Sequence, residues 1–287
     1  MEYVLTTLDA IFTEERHVLR IVVDEIKAGK YSNLISKLKG IETVNSKKDY
    51  TPVIVLAANR LISIILGELP REQFFNEQKA YILELLNKKS HKDLISDYGL
   101  VSCFVHLNKH EYLASEFMEY GGASYLLECL SRSGNDIQLI YYTMLNIWML
   151  SFVPDTVDKW FGSAKFGVIK HICDILQKVS REKITRVAFM IFKNVQDSNG
   201  CLELMIDNRL LKVIDTILKG NIKDEELINE IKDIGAVLES NIRVLSSFDK
   251  YVKEVNSELL EWSSVHNERF WKENALKFEA NEYHIIK

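Results

Sequence analysis

The sequence contains few of the residues that interrupt or cross-link a chain. It has 3 prolines and 12 glycines in 287 residues, and the two-residue alternation of strands is hard to find. Its 4 cysteines, Cys103, Cys129, Cys173 and Cys201, form no C-x-x-C pair, a spacing that supports neither a disulfide framework nor a thiolate zinc site. We therefore predict an all-α chain with reduced thiols in its core.

Excess positive charge and long apolar runs are missing as well. The 36 Lys and Arg against 41 Asp and Glu give a net charge of -5, which offers no general attraction for nucleic acid or an anionic membrane surface. The most apolar stretch, residues 53–67, contains Asn59 and Arg60 and is shorter than the roughly 20 residues of a membrane span. The N-terminus is acidic where a secretory signal starts with basic residues. We expect a cytoplasmic protein with protein partners.

The apolar residues that are present follow helical periods. Residues 210–218 place their apolar side chains on one helical face, with Asn208 as the predicted N-cap and Gly220 as the predicted left-handed residue at the end. Residues 137–152 are apolar almost all round, which is typical of an inner helix that others cover on most sides.

Helical units recur at a nearly constant interval. Predicted units open at Gly122, Gly167 and Arg209, at intervals of about 45 and 42 residues, and HEAT and armadillo repeats have about 40 to 47. Less regular helices are predicted upstream at residues 53–69, 73–87 and 94–107. We predict an armadillo/HEAT-like helical-repeat solenoid, all-α, over residues 1–245. Residues 246–287 have a different, poorly periodic character.

An asparagine near the end of a predicted inner helix allows two interpretations. Armadillo repeats carry an Asn on their concave, peptide-binding face, and Asn194 occupies a similar place. The interpretation we favour is that Asn194 bonds its own helical turn, because such local bonds are common at helix ends. An armadillo-type adaptor that binds an extended peptide of a partner protein is the alternative function, although no Trp lies three or four residues from Asn194.

The sequence predicts no catalytic, cofactor or metal site. Cys103, His106 and His110 lie within two helical turns, but a fourth ligand is missing and no Glu follows the first His. Gly162 and Gly167 have the spacing of P-loop glycines, yet Val-Ile follows where Lys and Ser or Thr would be required. We predict a protein that is not an enzyme.

Two segments have both a structural and a functional interpretation. The acidic run at residues 223–233 is interpreted as the solvated face of a helix, with contact to a basic partner as the alternative. Large aromatic residues in the polar C-terminal segment either anchor it on its own domain or serve as hot spots for a partner. The candidate partner-binding residues are Phe248, Trp262, Phe270, Trp271 and Asn274.

Three motifs occur in the order found in one known family. Residues 147–154 read Ile-Trp-Met-Leu-Ser-Phe-Val-Pro, and residues 181–187 read Arg-Glu-Lys-Ile-Thr-Arg-Val. Residues 246–274 run from Ser-Ser-Phe-Asp through Leu-Glu-Trp-Ser to Phe-Trp and Asn. With these motifs the chain resembles the H subunit of the vacuolar-type proton ATPase from about residue 136 to residue 283.

The resemblance implies a regulatory, non-catalytic component of the soluble sector of the pump. In that family the N-terminal helical-repeat domain binds the peripheral stalk, which the E and G subunits form. The smaller C-terminal domain contacts the cytoplasmic part of the membrane-bound a subunit. Carried over, residues 1–245 are expected to bind the stalk, and residues 246–287 to form the interdomain segment with a remnant of the C-terminal domain. The membrane-bound a subunit and the subunits of the catalytic hexamer are further expected partners, on the cytosolic face of vacuolar and other endomembranes.

The resemblance generates a prediction for the C-terminal aromatic residues. Trp262→Ala combined with Trp271→Ala should weaken docking to the assembled pump and leave the repeat domain folded, because buried Trp side chains carry much of an interface's binding energy. Co-purification of the variant with the pump measures docking, and circular dichroism checks the fold. Unchanged association would remove these residues from the interface.

Overall fold

The structure, a computed structural model, describes residues 2–31, 33–44, 52–90, 95–220 and 222–256, without the side chains of residues 42–44 and 242–256. Within these ranges the chain forms fifteen α-helices and no strand, which confirms the all-α prediction. In chain order they are α1 Glu2–Glu14, α2 Arg16–Lys27, α3 Leu34–Val44, α4 Pro52–Glu68, α5 Arg71–Asn87, α6 Asp97–Leu107, α7 Glu111–Glu119, α8 Gly122–Arg132, α9 Ile137–Leu150, α10 Pro154–Thr156, α11 Val168–Lys178, α12 Glu182–Val195, α13 Asn199–Asp207, α14 Leu210–Leu218 and α15 Glu225–Asn256.

Three triplets of helices follow one another from residue 111. They are α7 to α9, α10 to α12 and α13 to α15, with a π-helical turn at Val157–Phe161 after the short α10. In one layer α8 contacts α11, which contacts α14, and in the other α6 contacts α9, which contacts α12. This arrangement confirms the predicted armadillo-like helical-repeat solenoid.

The chain divides into two compact units, Met1–Leu238 and Glu239–Lys287. The helices of the two layers, up to residue 238 of α15, belong to the first unit. The domain boundary that the sequence places between residues 245 and 246 stays a prediction.

The inner helices hold the first unit together. α1 packs on α4, and α4, α6, α9 and α12 then pack against one another in that order. Each contributes side chains that are 1% exposed or less, such as Ile62 of α4, Phe104 of α6, Ile147 of α9 and Phe192 of α12. Because burial of one such side chain is worth about 1.5–3 kcal/mol, this row of helices supplies much of the stability of the unit.

A left-handed residue joins the first two helices of each of the three triplets. These residues are Gly121, Gly167 and Arg209, with φ of 85°, 64° and 57°. The left-handed conformation costs a residue with a Cβ about 1–2 kcal/mol, whereas glycine adopts it freely. The predicted repeat openings at Gly122, Gly167 and Arg209 therefore mark a real structural junction, to within one residue.

The capping predicted for α14 is wrong at both ends. Asn208 ends the preceding helix, and its side-chain amide donates to the carbonyl oxygen of Leu204 at 2.7 Å. Gly220 is not left-handed, and its amide bonds the carbonyl oxygen of Ile217 at 3.0 Å. The physical reason is the left-handed Arg209, which turns the backbone directly from α13 into α14 and leaves no extended cap position for Asn208.

Among the described residues, no single helix has the length and apolar content of a membrane span. Ile137–Leu150 and Pro154–Phe161 reach these values only when taken together across a bend of 111°.

Substitutions at two of the left-handed junction residues should change the free energy of unfolding in opposite directions. Gly121→Ala should lower the free energy of unfolding by about 1 kcal/mol, because its Cβ would meet nothing within 4 Å and only backbone strain is added. Arg209→Gly removes the same strain from an exposed residue and should raise the free energy of unfolding by up to about 1 kcal/mol. Urea unfolding curves measure both changes.

The matched control is Gly40→Ala, inside α3, where a Cβ also meets nothing within 4 Å. This substitution should stabilise by about 0.5–1 kcal/mol, since alanine is the better helix residue. Destabilisation by both Gly121→Ala and Arg209→Gly would contradict the assignment of strain to the left-handed backbone.

Candidate partner-binding face on the inner helices

The inner helix α9 exposes part of its apolar surface. It contains no charged residue, and its buried side includes Ile140, Met144 and Ile147. Residues four and three positions apart share one helical face, so a second set of apolar side chains continues on the other side and into the turn that follows. We call this set the α9 row; it consists of Tyr141, Leu145, Trp148 and Phe152.

The α9 row is most exposed at its last residue. Tyr141, Leu145 and Trp148 are half-buried and rest on the core, whereas Phe152 is 58% exposed. The rings of Trp148 and Phe152 meet edge to face, with centroids 5.3 Å apart. Edge-to-face contact orders an aromatic pair before any partner arrives, which lowers the entropy lost on binding.

Towards the N-terminal end, the face continues onto α6. Tyr98 of α6 meets Tyr142 of α9 edge to face at 5.4 Å, and burial raises the pKa of Tyr98. Beside them Arg60 of α4 binds Asp9 of α1 at 3.1 Å. Burial raises the pKa of Asp9 although the guanidinium of Arg60 opposes this. This part of the face is therefore closed by polar contacts within the chain.

A pocket of about 430 Å³ adjoins the exposed end of the α9 row. Asp158 and Asp197 make its rim acidic, and among the described residues neither has an ion-pair partner. Asp158 accepts only a long bond of 3.4 Å from the Ser198 hydroxyl. The full lining is Ser151, Phe152, Pro154, Val157, Asp158, Asn194, Asp197 and Ser198.

The asparagines of the inner helices bond the chain itself. Asn146 is fully buried, and its side-chain amide donates to the carbonyl oxygens of Val101 at 2.9 Å and Tyr142 at 2.8 Å. Its side-chain oxygen accepts from the amide of Asn108 at 3.0 Å. These bonds join α9 to α6 and to the turn after α6, so the side chain of Asn146 is fully used inside the stack.

Asn194 follows the same principle, and the predicted bond to its own turn is wrong. Its side-chain amide donates to the Ser151 hydroxyl at 2.8 Å, 43 residues earlier in the sequence. The cause is the close packing of α9 and α12, which brings the turn after α9 to the end of α12. Asn194 therefore links two repeats.

The acidic run at residues 223–233 is divided between solvent and the neighbouring repeat. Glu226 and Asp233 are exposed, as the solvated-face interpretation requires. Asp224 instead pairs with Arg186 of α12, and Glu230 lies 3.6 Å from Lys193. Arg186 and Lys193 of α12 are therefore paired within the chain.

The cysteines are positioned for packing. All four are buried, and burial raises the pKa of Cys103 and Cys173 to about 12 and that of Cys129 to about 11. Since the thiolate is the nucleophile and the metal ligand, these thiols are unreactive at neutral pH. The described residues contain no group of three or more His, Cys, Asp or Glu placed to hold a metal ion.

The predicted C-terminal site is not described at side-chain level. The backbone of Phe248 lies in α15, but its side chain is outside the described residues, as are Trp262, Phe270, Trp271 and Asn274. The α9 row was not predicted as a binding surface, although Trp148 and Phe152 lie in the motif at residues 147–154. The apolar character of residues 137–152 is the sequence signal of this row. A wholly covered helix and a partly exposed one give the same pattern, however, so the signal does not distinguish them.

The fold has similar solved structures. An engineered protein matches with a TM-score of 0.62 and 14% identity, over 83% of this chain and 92% of the other. A designed armadillo repeat protein matches with a TM-score of 0.59 and 15% identity, again over 83% and 92%. At such low identity the likeness shows the fold alone, and that fold is of the armadillo-repeat class.

The sequence comparisons identify the family. Residues 1–238 match the N-terminal family model of the V-ATPase H subunit, and residues 244–287 match the C-terminal one. The chain therefore belongs to the V-ATPase H-subunit family, which confirms the resemblance.

Relatives described as the H subunit of V-type proton ATPase match the whole chain. The one from Dictyostelium discoideum is 30% identical over 299 residues, 100% of this chain and 63% of its own length. The one from Drosophila melanogaster is 25% identical over 304 residues, 100% of this chain and 61% of its own length. The chain thus spans about three fifths of the length of these relatives.

The asparagine network generates a prediction about stability. Asn146→Ala should lower the free energy of unfolding by about 2–3 kcal/mol, because it removes the side chain that bonds α9 to Val101 of α6 and leaves the buried side-chain amide of Asn108 without its partner. The control is Asn208→Ala, which removes a bond only to the carbonyl of Leu204 in its own helix and should cost less than about 1 kcal/mol. Denaturant unfolding of both variants measures the two losses of stability. Equal losses would rule out a role of Asn146 in joining two repeats.

Proposed function

We propose that the chain is a non-catalytic, regulatory stator component of a V-type proton-pumping ATPase, and that its helical-repeat unit binds the peripheral stalk formed by the E and G subunits. The observation that carries the proposal is the α9 row, an ordered aromatic surface on a rigid stack in a chain of the H-subunit family. The membrane-bound a subunit and the subunits of the catalytic hexamer are further proposed partners. The proposed place of action is the cytosolic face of vacuolar and other endomembranes, through the complex.

A stator must resist force without changing shape, and a helical stack suits that role. The inner helices α6 and α9 each pack on both neighbouring inner helices. Side-chain amide hydrogen bonds also join α9 to α6 and the end of α12 to the turn after α9. Packed interiors deform little under load. A partner bound at the α9 row would therefore be held at a fixed position relative to the rest of the unit, which supports coupling of ATP hydrolysis to proton transport.

The peptide-adaptor alternative receives less support. Armadillo adaptors bind an extended peptide through asparagine side chains on the inner helices, as the sequence interpretation required. Here Asn146 is fully buried, and Asn194 bonds Ser151. Asn59 of α4 is buried too, and its side-chain oxygen accepts from the Tyr81 hydroxyl at 2.9 Å. A partner that contacts the aromatic row by shape fits these observations better.

The proposal is tested by calorimetric titration of the purified chain with the matching E–G heterodimer. We expect saturable one-to-one binding, weakened about 30-fold by Phe152→Ala, because truncation of a central aromatic side chain costs an interface about 2 kcal/mol. The thermal unfolding midpoint should stay unchanged, since Phe152 is 58% exposed. Leu83→Ala is the matched control, an exposed apolar side chain on α5 that should leave affinity unaltered.

Absence of binding with both components folded would reject stalk binding and favour the peptide adaptor. Binding that Phe152→Ala leaves unchanged would keep the stator role and move the contact away from the α9 row.

A further inference from the structure

A second pocket lies where the start of α2 meets the C-terminal ends of the inner helices α4 and α6. Its volume is about 340 Å³. Glu68 is the last residue of α4, and Lys109 lies two residues after the end of α6. The close approach of these ends is fixed by His110, whose ring Nε2 lies 2.5 Å from the carbonyl oxygen of Gly67. We call it the cationic pocket; its lining is Arg16, Leu19, Arg20, Glu68 and Lys109.

Positive charge exceeds negative charge in this pocket. One oxygen of Glu68, Oε1, is shared by two cations: Arg16 Nη1 lies 3.1 Å away, and Lys109 Nζ pairs with the same oxygen. Arg20 projects from α2 one turn after Arg16, is exposed, and has no ion-pair partner among the described residues. Three cations therefore face one carboxylate, in a chain whose overall charge is -5.

The surroundings add to this excess. Glu15 precedes α2 but makes no side-chain cap bond, and its carboxylate lies 3.3 Å from the His17 ring instead. The helix dipole places partial positive charge at this end of α2, although the amide of Val18 bonds the carbonyl oxygen of Glu15 at 3.0 Å. Nearby, burial and then the positive charges of Arg60, Lys109 and Arg16 lower the pKa of His106 to about 3. The His106 ring is therefore uncharged at neutral pH.

We propose that the cationic pocket binds a phosphate group, either of a soluble phosphate compound or of a lipid headgroup. The net charge of the lining matches a phosphate monoester, which carries about -1.5 to -2 at neutral pH. The planar guanidinium groups of Arg16 and Arg20 suit two oxygens each, and Lys109 supplies a point charge at the inner side. The volume leaves room for the group that bears the phosphate. The site is distinct from the α9 row and does not depend on stalk binding.

The test uses the whole chain at constant ionic strength. Inorganic phosphate and glycerol phosphate are titrated by calorimetry, and sedimentation is measured with phosphatidylcholine vesicles that contain or lack phosphatidylinositol 4-phosphate. Binding in a soluble arm assigns a free phosphate compound, and binding only to the phosphoinositide vesicles assigns a lipid headgroup. Either result supports the site if the variants below respond. No binding in any arm, with dissociation constants weaker than about 10 mM, overturns it.

Two lining variants should shift affinity in opposite directions. Arg20→Ala removes an exposed, unpaired cation and should weaken binding about 10-fold without loss of fold. Glu68→Gln removes the only competing carboxylate of the lining and should tighten binding several-fold. The control is Lys170→Ala on α11, an exposed cation paired with Asp174 at 2.9 Å, which should have no effect. Equal affinity of Arg20→Ala and the unaltered chain would overturn the site, and thermal unfolding of each variant checks the fold.

Discussion

The contact between neighbouring inner helices is the constraint on which the rest of the structure depends. α9 packs against α6 on one side and α12 on the other and also contacts α8, so its position fixes both layers of the stack. A helix in that place must be almost free of charge, because burial of an unpaired charge costs several kcal/mol. The sequence of α9 obeys this limit without exception. Its polar residue Asn146 is tolerated because Val101, Tyr142 and Asn108 satisfy it.

The same constraint produces the exposed row. A helix with neighbours on both flanks and α8 behind it still has one open side, and an uncharged helix presents apolar residues there as well. Structural and proposed functional requirements on residues 137–152 therefore overlap: the residues that make α9 a good inner helix also form the open side that we propose as a binding surface. Contiguous exposed apolar patches on a folded unit are one of the marks of an interaction site.

The fold was predictable from the sequence to the extent that local rules determine it. Repeat spacing located the junctions at Gly121, Gly167 and Arg209, because a sharp turn between two helices recurs once per repeat. The errors lie where tertiary contacts override local preference. Asn194 bonds Ser151 of the preceding repeat, 43 residues earlier in the sequence, and rules for local bonds at helix ends cannot predict such a contact. The α9 row and the cationic pocket also escaped prediction as sites, since the first looks like core in sequence and the second combines residues from two helices and the turn after a third.

The turn after α6 contacts both α9 and the cationic pocket. Asn108 bonds Asn146 of α9, the next residue, Lys109, pairs with Glu68 in the cationic pocket, and His110 contacts the backbone of Gly67. Three consecutive residues thus fix α9 on one side and α4 on the other. In a helical-repeat stack each unit contacts only its neighbours, so the position of this turn links the packing of α4 to that of α9. The ion pair of Glu68 in the pocket and the buried bond to Asn146 of α9 therefore depend on the same three-residue turn.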